Sequence, residues 1–402
     1  MLLKQNAADP ARFSFETTMR KTLLSVLLSS AAAFSLSLSA QAASVEAYGL
    51  IDLGISYVRS DADIPGVSAK NRVSMENGSE FGSRWGLRGM EDLGSGFKAG
   101  FVLESGFKAD DGTLDPSADK IFGREAHLDL YSPYGTVSMG LIPIFGSTLG
   151  ANGLFRACEP LFANYTEGFS SGFATASRWT RVNNAMSYVT PTVSGLTGYA
   201  MYSFQMDSTD KGVEGRGGSS DRYAALALRW QTSAFEGIVV ADTTMYGTAR
   251  TGAAANSDDG VTVTIGGNYK LENGLKLLAY WQHFNHQELN AVIRGGVAKE
   301  GVLAFTNGAG YGFVDGWGAS FGVHYPVAGG LVKGQIAYRE MDNLAAVDFK
   351  RWTAAAAYDY PLSKRTDVYA MAGWSQEKME AEGRESMSPS GCEITFGMVH
   401  RF

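Results

Sequence analysis

Apolar and polar residues alternate along most of the chain after residue 43, and this period of two is typical of strands whose two faces have different surroundings. In residues 83–107, for example, Arg84 and Arg88 share one face of a strand, while Trp85 and Leu87 share the other. Sixteen strands are predicted, at residues 44–58, 83–91, 97–107, 121–131, 136–142, 181–190, 197–204, 222–231, 235–246, 260–271, 275–284, 317–325, 331–340, 350–360, 366–375 and 392–402. Most of them have about ten residues, the length that a tilted strand needs to cross a bilayer.

Short and long connections alternate between these strands. The short ones carry turn-forming glycine, proline or asparagine, as in EDLGSG, SPYG, TPTVSG, ENG, PVAGG and PLSKR. The long ones are polar and occupy residues 59–82, 108–120, 143–180, 205–221, 247–259, 285–316, 341–349 and 376–391. Transmembrane barrels have short periplasmic turns and long external loops, whereas a β-sandwich mixes connection lengths at both ends. The pattern therefore predicts an all-β fold, a transmembrane antiparallel β-barrel of about 16 strands.

The composition is compatible with this fold. The 402 residues include 49 glycines and 12 % aromatic residues, and the mean hydropathy is −0.09. No stretch of about 18 apolar residues follows the N-terminal region, so no transmembrane helix is expected in the mature chain, but a barrel needs only every second strand residue to be apolar. Six of the seven tryptophans fall in predicted strands, mostly near strand ends, which favours an aromatic girdle at the membrane surface over ordinary core aromatics.

The N-terminus has the pattern of an export signal. The basic start MRK at 19–21 precedes the apolar run TLLSVLLSSAAAFSLSLS, and AQA at 40–42 supplies small residues for cleavage. We predict cleavage after Ala42; the alternative is an N-terminal membrane anchor. The predicted organisation is an over-extended start over 1–18, a signal peptide over 19–42 and a single barrel domain over 43–402. Cleavage removes four of the 34 basic and two of the 41 acidic residues, and the resulting net charge of −9 argues against a nucleic-acid partner.

Five stretches of the chain are distinctive when taken together. They are VEAYGLIDLGISY near the start, SRWGLRGMEDLGSGFKAGFVLESGF, FGREAHLDLYSPYGTVSMG, RVNNAMSYVTP and the ending FGMVHRF. Together they resemble the Gram-negative general porins, most closely the betaproteobacterial type, over essentially the whole mature chain. The resemblance implies a sixteen-stranded barrel, a homotrimer in the outer membrane, and a third external loop folded into the pore. It also implies that the terminal Phe402, which shares a strand face with Phe396 and Met398, is the signal that the barrel-assembly machinery binds.

The resemblance also indicates where the pore is narrowest. In this family a ladder of basic wall residues faces acidic groups of the third loop, and pore width and charge at this point set the selectivity. The matching basic positions are Arg84 in SRWGLRG, Arg124 in FGRE and Arg181 in RVNN, with Arg88 one step from Arg84 on the same face. The third loop supplies Glu159 and Glu167 as the opposing carboxylates. The alternative for each arginine is a solvated lumen charge away from the constriction.

Two positions depart from the family pattern. The family commonly has arginine after the glycine that closes the fifth strand, where this chain has Leu141, so one positive charge is missing at the start of the third loop. In the fourth strand, Arg124 is in register with apolar Leu128, while Glu125 and Asp129 belong to the other row. A polar row is costly against lipid, so the inward position of Arg124 follows from the resemblance and not from the alternation.

Two cysteines raise the question of a disulfide. Cys158 lies in the third loop, and Cys392 begins the last strand near its external end. Export to an oxidising compartment favours a bond between them, which would fix the loop to the barrel wall. Against this, Cys392 shares the parity of Phe402 and would point out of the barrel. A disulfide and two free thiols therefore both stay open.

No feature of the sequence predicts a cofactor, a metal or a catalytic centre. His283 and His286 form an H-x-x-H pattern without a third ligand, and the five histidines suggest no triad. The prediction is a non-enzymatic diffusion channel for small hydrophilic solutes and ions, in contact with lipid and lipopolysaccharide. Inward strand positions are rich in basic residues, and loop charge is screened within about 10 Å at 0.1 M salt, so we expect a mild anion preference. The alternatives are a substrate-selective channel for sugars or carboxylates, an outer-membrane enzyme and an adhesin.

Overall fold

The computed structural model describes residues 44–116, 119–161, 181–206, 214, 220–247, 258–289 and 298–402. Its strands are β1 (Ser44–Asp61), β2 (Lys70–Asn77), β3 (Arg84–Gly94), β4 (Phe97–Phe107), β5 (Leu114–Asp115), β6 (Glu125–Ser132), β7 (Gly135–Pro143), β8 (Arg181–Val189), β9 (Leu196–Ser203), β10 (Arg222–Gln231), β11 (Phe235–Met245), β12 (Gly260–Lys270), β13 (Lys276–Glu288), β14 (Phe313–Val327), β15 (Gly330–Asn343), β16 (Val347–Pro361), β17 (Thr366–Ala381) and β18 (Ser390–Arg401). The connections within these ranges contain helix α1 (Lys299–Phe305) and a 3-10 turn (Leu154–Ala157). Of the described residues, none belongs to a helix long and apolar enough to span a membrane. The predicted cleavage after Ala42 lies outside the described residues.

Antiparallel strands close into one barrel. β1 pairs with β18 from Leu50 opposite Arg401 to Asp61 opposite Ser390, and its first half pairs with β3 on the other side. β2 runs beside the second half of β1, in line with β3, and β5 is a two-residue strand in the second external connection. The remaining sixteen strands form the wall, each at a position that the alternation predicts. Closure leaves no sheet edge in the lipid, where unpaired backbone groups would be costly.

The large apolar side chains of the wall point outward. The six tryptophans of the described strands are exposed by 37 % at Trp317 to 55 % at Trp352. On β1, Ile55 is 57 % exposed, whereas Asp52 and Ser56 of the alternate row are fully buried inside. The apolar row of each strand therefore faces the membrane, and the polar row faces the lumen, as expected for a transmembrane barrel.

The C-terminal residue completes the closing seam. The backbone N–H of Phe402 donates to the carbonyl of Gly49 at 3.0 Å, and the N–H of Gly49 donates to the carbonyl of Phe402 at 3.2 Å. The ring of Phe402 lies against Gly49, where a Cβ would be only 2.4 Å from a ring carbon. Phe396 and Met398 share this outward face and are 62 % and 51 % exposed. The last strand thus ends in an outward aromatic residue that needs a glycine beneath it.

One external connection is much shorter than predicted. β15 continues to Asn343 and β16 begins at Val347, so the link predicted at 341–349 reduces to residues 344–346. Asn343 closes the turn, since its carbonyl accepts the N–H of Ala346 at 2.9 Å and its side chain accepts the N–H of Val347 at 3.1 Å. The prediction was wrong because the inward row stays regular but becomes apolar at Met341 and Phe349, both buried.

The sixth external connection covers these apolar positions. Its described part comprises Leu289 and residues 298–312; we call residues 298–312 the cap. Val302, Phe305 and Tyr311 of the cap are 0 %, 1 % and 1 % exposed. They belong to one apolar cluster with the external ends of the neighbouring strands, at Phe284, Val314, Met341, Val347, Phe349 and Met379. These wall residues would meet water in an open mouth, so the cap removes apolar surface from solvent.

A buried ionic cluster holds the cap in place. Glu377 of β17 is fully buried and accepts hydrogen bonds from Arg339 at 2.6 Å, from Arg351 at 2.8 Å and from the phenol of Tyr311. Arg351 also donates to the phenol oxygen of Tyr311 at 2.8 Å. Burial raises the pKa of the Tyr311 phenol to about 12, so this phenol stays a hydrogen-bond donor at neutral pH. One carboxylate therefore bridges two buried guanidiniums and, through the phenol of Tyr311, fixes the cap to the lumen wall.

The cap also contacts the loops around it. Lys70 of β2 forms an ion pair with Glu300 at 2.9 Å, and Arg384 donates to the carbonyl of Phe305 at 2.6 Å. At Gly301 a Cβ would lie 2.3 Å from the carbonyl oxygen of Ala62, so a side chain there would push the helix away. The cap therefore spans the mouth from β13–β14 to the first and eighth external connections.

Candidate pore constriction

Three arginines of the predicted ladder come together on the lumen wall. Arg124 immediately precedes β6, is 4 % exposed, and donates from Nε to Glu104 of β4 at 2.6 Å. Arg84 of β3 lies 3.8 Å from the same carboxylate, and the phenol of Tyr48 donates to its other oxygen at 3.0 Å. Arg181 at the start of β8 interacts electrostatically with Arg84, Arg124 and Glu104. We call Arg84, Arg124 and Arg181 the arginine cluster.

The arginine cluster carries more positive than negative charge. Besides Glu104, the carboxylate near it is Glu125 of β6, which interacts electrostatically with Arg84 and Arg181. Three guanidiniums against two carboxylates leave one surplus positive charge on this part of the wall. Such a surplus attracts anions and repels cations that pass close to it.

The register of β6 resolves the conflict over Arg124. β6 begins at Glu125, so Arg124 lies before the strand and is not bound by its alternation. Glu125 is opposite inward-facing Glu104, whereas Leu128 and Leu130 are 55 % and 44 % exposed on the outer surface. The polar row that the alternation placed towards lipid therefore faces the lumen.

His127 lies in the middle of that polar row. Its ring nitrogens are 2.9 Å from an oxygen of Asp129 and 3.2 Å from an oxygen of Glu125. Both nitrogens face carboxylates, an arrangement that suits a doubly protonated imidazole. Within this row, His127 therefore lies between two carboxylates, those of Glu125 and Asp129.

Arg88 lies on the same face but outside the cluster. It forms an ion pair with Glu46 at 2.8 Å, and its guanidinium lies 5.0 Å from the ring centre of Tyr48. The side chain of Arg88 is 55 % exposed, towards the periplasmic end of β3. Its position therefore agrees with the alternative reading of a solvated lumen charge rather than with the constriction.

The third external connection, residues 144–180, folds into the barrel through its described part, 144–161. Phe145 and Phe155 are 0 % and 5 % exposed, and their rings lie 5.4 Å from Tyr199 of β9 and 4.7 Å from Tyr280 of β13. Asn268 of β12 donates to the carbonyl of Ala157 at 2.6 Å. The expected inward fold of this connection is therefore confirmed for these residues, which lie against the β9–β13 side of the wall.

The two acidic residues assigned to this connection do not both have a described position. Glu159 is 0 % exposed beside Cys158, so its side chain is buried, and its role at the constriction stays a prediction. Glu167 lies outside the described residues. The carboxylates that the structure brings to the arginine cluster are Glu104 and Glu125, which sequence reasoning did not assign to the constriction. Inward parity in β4 is the signal that could have identified Glu104.

Both cysteines are free thiols. Cys158 is fully buried; its Sγ lies 3.2 Å from the carbonyl of Phe155, and it packs on Gly266 of β12, where a Cβ would come within 2.8 Å of it. Cys392 lies on β18, paired between Arg59 of β1 and Trp374 of β17. The Cys158–Cys392 disulfide is therefore not formed, because the third connection places its cysteine against β12 and not against the closing seam.

Leu141 does not belong to the lumen wall. It is opposite Ala126, in the same row as Met139 and Leu128, which are 45 % and 55 % exposed on the outer surface. The register between β7 and β8 shifts at Leu141 itself, between the pairs made by Gly140 and Ile142. Because Leu141 belongs to the outward row, an arginine at this position of the chain would not line the pore.

A second segment enters the lumen from the wall across the barrel from β9–β13, where the third connection packs. Residues 78–83, which we call the inner segment, separate β2 from β3 and turn inward over Asp52. The carboxylate of Asp52 accepts the backbone N–H groups of Glu80 and Phe81 at 2.7 and 2.6 Å, and the phenol of Tyr369 at 2.7 Å. Phe81 joins an apolar cluster with Leu161 of the third connection. The inner segment and the third connection therefore meet inside the barrel.

No metal centre is found in the described part of the chain. None of its histidine, cysteine, aspartate and glutamate residues form a group of three that could hold an ion. His283 instead stacks on Trp281, and His286 stacks on Phe313. Each histidine of the H-x-x-H pattern therefore packs on an aromatic ring.

Comparisons with known proteins identify the family. The family model described as Gram-negative porin matches residues 27–379. An outer membrane porin protein of Bordetella pertussis is 29 % identical over 96 % of this chain and 100 % of its own length, and outer membrane porin protein 32 of Delftia acidovorans is 28 % identical over 90 % of each.

Solved structures show the same fold. An anion-selective porin from Comamonas acidovorans aligns with 90 % of this chain and all of its own, at 24 % identity and a TM-score of 0.66. The trimer form of OmpT, an outer membrane protein of Vibrio cholerae, aligns with 90 % of this chain at 12 % identity and a TM-score of 0.59. With its closed sixteen-stranded wall and its inward third connection, the chain belongs to the Gram-negative porin family and forms a pore of the bacterial outer membrane.

Proposed function

We propose that this pore conducts small hydrophilic solutes and ions by passive diffusion, with a mild preference for anions. The observation that carries the proposal is the arginine cluster, where three guanidiniums are accompanied by two carboxylates. The solved Comamonas acidovorans porin of the same fold, described as anion-selective, supports this choice. A channel needs no catalytic group, and we assign none.

The acidic balance of the whole chain does not oppose this preference. Ion selectivity depends on charge at the narrowest part of the passage. Asp63, Asp110, Asp111 and Asp258 are exposed in the external connections, where salt screens them within about 10 Å at 0.1 M. The arginine cluster lies inside the low-dielectric wall and acts on ions at closer range.

We also infer that the chain forms a homotrimer in contact with lipid and lipopolysaccharide. Membership of the porin family supports this assembly, as does the solved trimer form of the Vibrio cholerae protein. The outward Phe402 at the end of β18 supports recognition by the barrel-assembly machinery.

The native selectivity is tested by reconstituting the pore in a planar bilayer and measuring the zero-current potential across a KCl gradient. A mild anion preference displaces the potential towards the equilibrium potential of chloride. A potential close to that of potassium would instead show that acidic loop charge controls permeation and would refute the proposal. A flux of neutral sugars into proteoliposomes that rises in proportion to concentration, without saturation, would support passive diffusion.

The substrate-selective alternative retains one observation in its favour. A second charged cavity lies on the periplasmic side of the third connection, away from the arginine cluster. Nothing in the described residues favours the enzyme or the adhesin.

A further inference from the structure

We propose that the lumen contains a second binding site for anions, which lies on the periplasmic side of the third connection and accepts a small organic carboxylate. The site is a cavity of about 560 Å³. This inference rests on the proposed anion preference and adds a ligand class and a location to it. Cavities that bind small molecules have volumes of about 300–1,000 Å³, so the size suits a compact organic anion.

The cavity lies between the third connection and the short periplasmic turns. Arg156, in the 3-10 turn of the third connection, forms one side. The other side is formed by the turn between β14 and β15 at Gly329, by Gly330 at the start of β15 and by Pro361 at the end of β16. A solute that has passed the arginine cluster meets this cavity before it leaves the barrel.

Two of the four lysine and arginine side chains in the cavity are neutralised locally. Lys333 forms an ion pair with Glu80 of the inner segment at 2.9 Å and another with Asp359. Arg401 forms an ion pair with Asp367. These two cations and their three carboxylates together carry one negative charge, so with the other two basic side chains the lining as a whole has a surplus of one positive charge.

The other two basic side chains retain their charge. Arg156 donates from Nη2 to the carbonyl of Gly150 at 2.7 Å, which holds the side chain and leaves its remaining N–H groups available. Lys276, the first residue of β13, lines the same cavity. Among the described residues, neither of them forms an ion pair with a carboxylate. A planar guanidinium and an ammonium that share a cavity form a suitable pair of donors for a carboxylate.

Apolar surface completes the cavity. Phe81, Leu278 and Leu331 contribute to its lining. His324 is held by the third connection, because its Nε2 donates to the carbonyl of Pro160 at 2.5 Å. A ligand with a carboxylate and a short apolar body satisfies both kinds of wall, whereas a fully hydrated inorganic anion uses only the charged groups.

Benzoate is a probe of this chemistry, and its effect is measured as a reduction of KCl current through the native pore in a planar bilayer. We expect benzoate to reduce the current saturably. Benzyl alcohol, which has the same ring without the charge, should leave the current unchanged. Inorganic phosphate should require higher concentrations than benzoate, because it gains nothing from the apolar wall.

Changing the two unpaired cations tests the location of the site. Arg156→Gln with Lys276→Gln should raise the half-blocking benzoate concentration by about tenfold, as expected for the loss of ~1.4 kcal/mol of binding free energy. The matched control is Lys350→Gln with Lys378→Gln, which removes two exposed cations from the external ends of β16 and β17 and should leave the block unchanged. Arg156→Gln alone, at an exposed position, gives a further variant that keeps the barrel wall intact.

Several outcomes overturn the proposal. They are a native current that benzoate does not reduce, an equal block by benzyl alcohol or phosphate, and an unchanged half-blocking concentration in the Arg156/Lys276 variant. Failure of this site is distinguishable from failure of the proposed function, because the zero-current potential is measured without benzoate. An anion-preferring pore without saturable block refutes the site alone.

Discussion

The arginine cluster gives the sharpest prediction. Replacing Arg84 and Arg181 with serine leaves Arg124 beside Glu104 and Glu125, so the local charge changes from one positive to one negative. Neither substitution removes the ion pair between Arg124 and Glu104, which stays as the structural link between β4 and the start of β6. The barrel should therefore still assemble, and its ion preference should shift towards cations.

The size of the shift follows from Coulomb's law. A permeant ion about 6 Å from a wall charge in water interacts with it by about 0.7 kcal/mol, and a Debye length of about 10 Å at 0.1 M salt roughly halves this value. Losing two charges raises the barrier for an anion by ~0.8 kcal/mol and lowers that for a cation by a similar amount. The permeability ratio of chloride to potassium should therefore fall on the order of tenfold.

The assay is the zero-current potential across a KCl gradient, measured for native protein, for the double variant and for a charge-matched control. The control is Lys350→Ser with Lys378→Ser, which removes the same charge from exposed positions at the external strand ends. If the double variant leaves the potential unmoved, or if the control moves it equally, the assignment of selectivity to the arginine cluster is wrong. Raising the salt concentration should reduce the difference between the variants, since screening strengthens.

Four further predictions concern the cap, the buried thiol of the third connection, and export and assembly. Glu377→Gln leaves two buried guanidiniums without a carboxylate, so we expect the free energy of unfolding to fall by ~3–5 kcal/mol. The gel shift from folded to unfolded barrel should then occur at a lower temperature. The single-channel conductance should rise as the cap loosens. The exposed Glu380→Gln is its control, and equal effects of the two would contradict the account of the cap. Burial raises the pKa of the Cys158 thiol, so thiol reagents should modify it only after unfolding; denatured, unreduced protein should contain two thiols, and the absence of both would show a disulfide. Deleting Phe402 should reduce the amount of folded barrel in the outer membrane, and normal assembly of the shortened chain would refute its role. N-terminal sequencing of outer-membrane protein should begin at Ala43.

The barrel wall could be predicted from the sequence because lipid imposes a strict local rule. A strand that crosses the membrane must present an apolar residue outward at every second position, and a violation is visible within a few residues. Hence the alternation located all sixteen strands of the wall, including β1 and β18, whose pairing joins the two ends of the described chain. The outward row of Phe396, Met398 and Phe402 was also predicted correctly from parity.

The interior was less predictable because its contacts are non-local. The arginines could be placed by resemblance to a family, but two strands, β6 and β7, separate their partner Glu104 on β4 from Arg181 on β8. The inner segment depends on Asp52 accepting N–H groups from residues 28 and 29 positions further along, and no local period signals such a contact. The burial of Glu159 likewise depends on which wall the third connection packs against.

The cap separates two sets of residues that can change independently. Its underside is fixed by Val302, Phe305 and Tyr311, all buried, whereas Lys299, Ala304 and other residues of its upper side are exposed. The upper side lies over part of the mouth and faces solvent. Substitutions there change the outer surface of the protein while the buried underside keeps the cap in place, so variation of this surface need not disturb the packing below it.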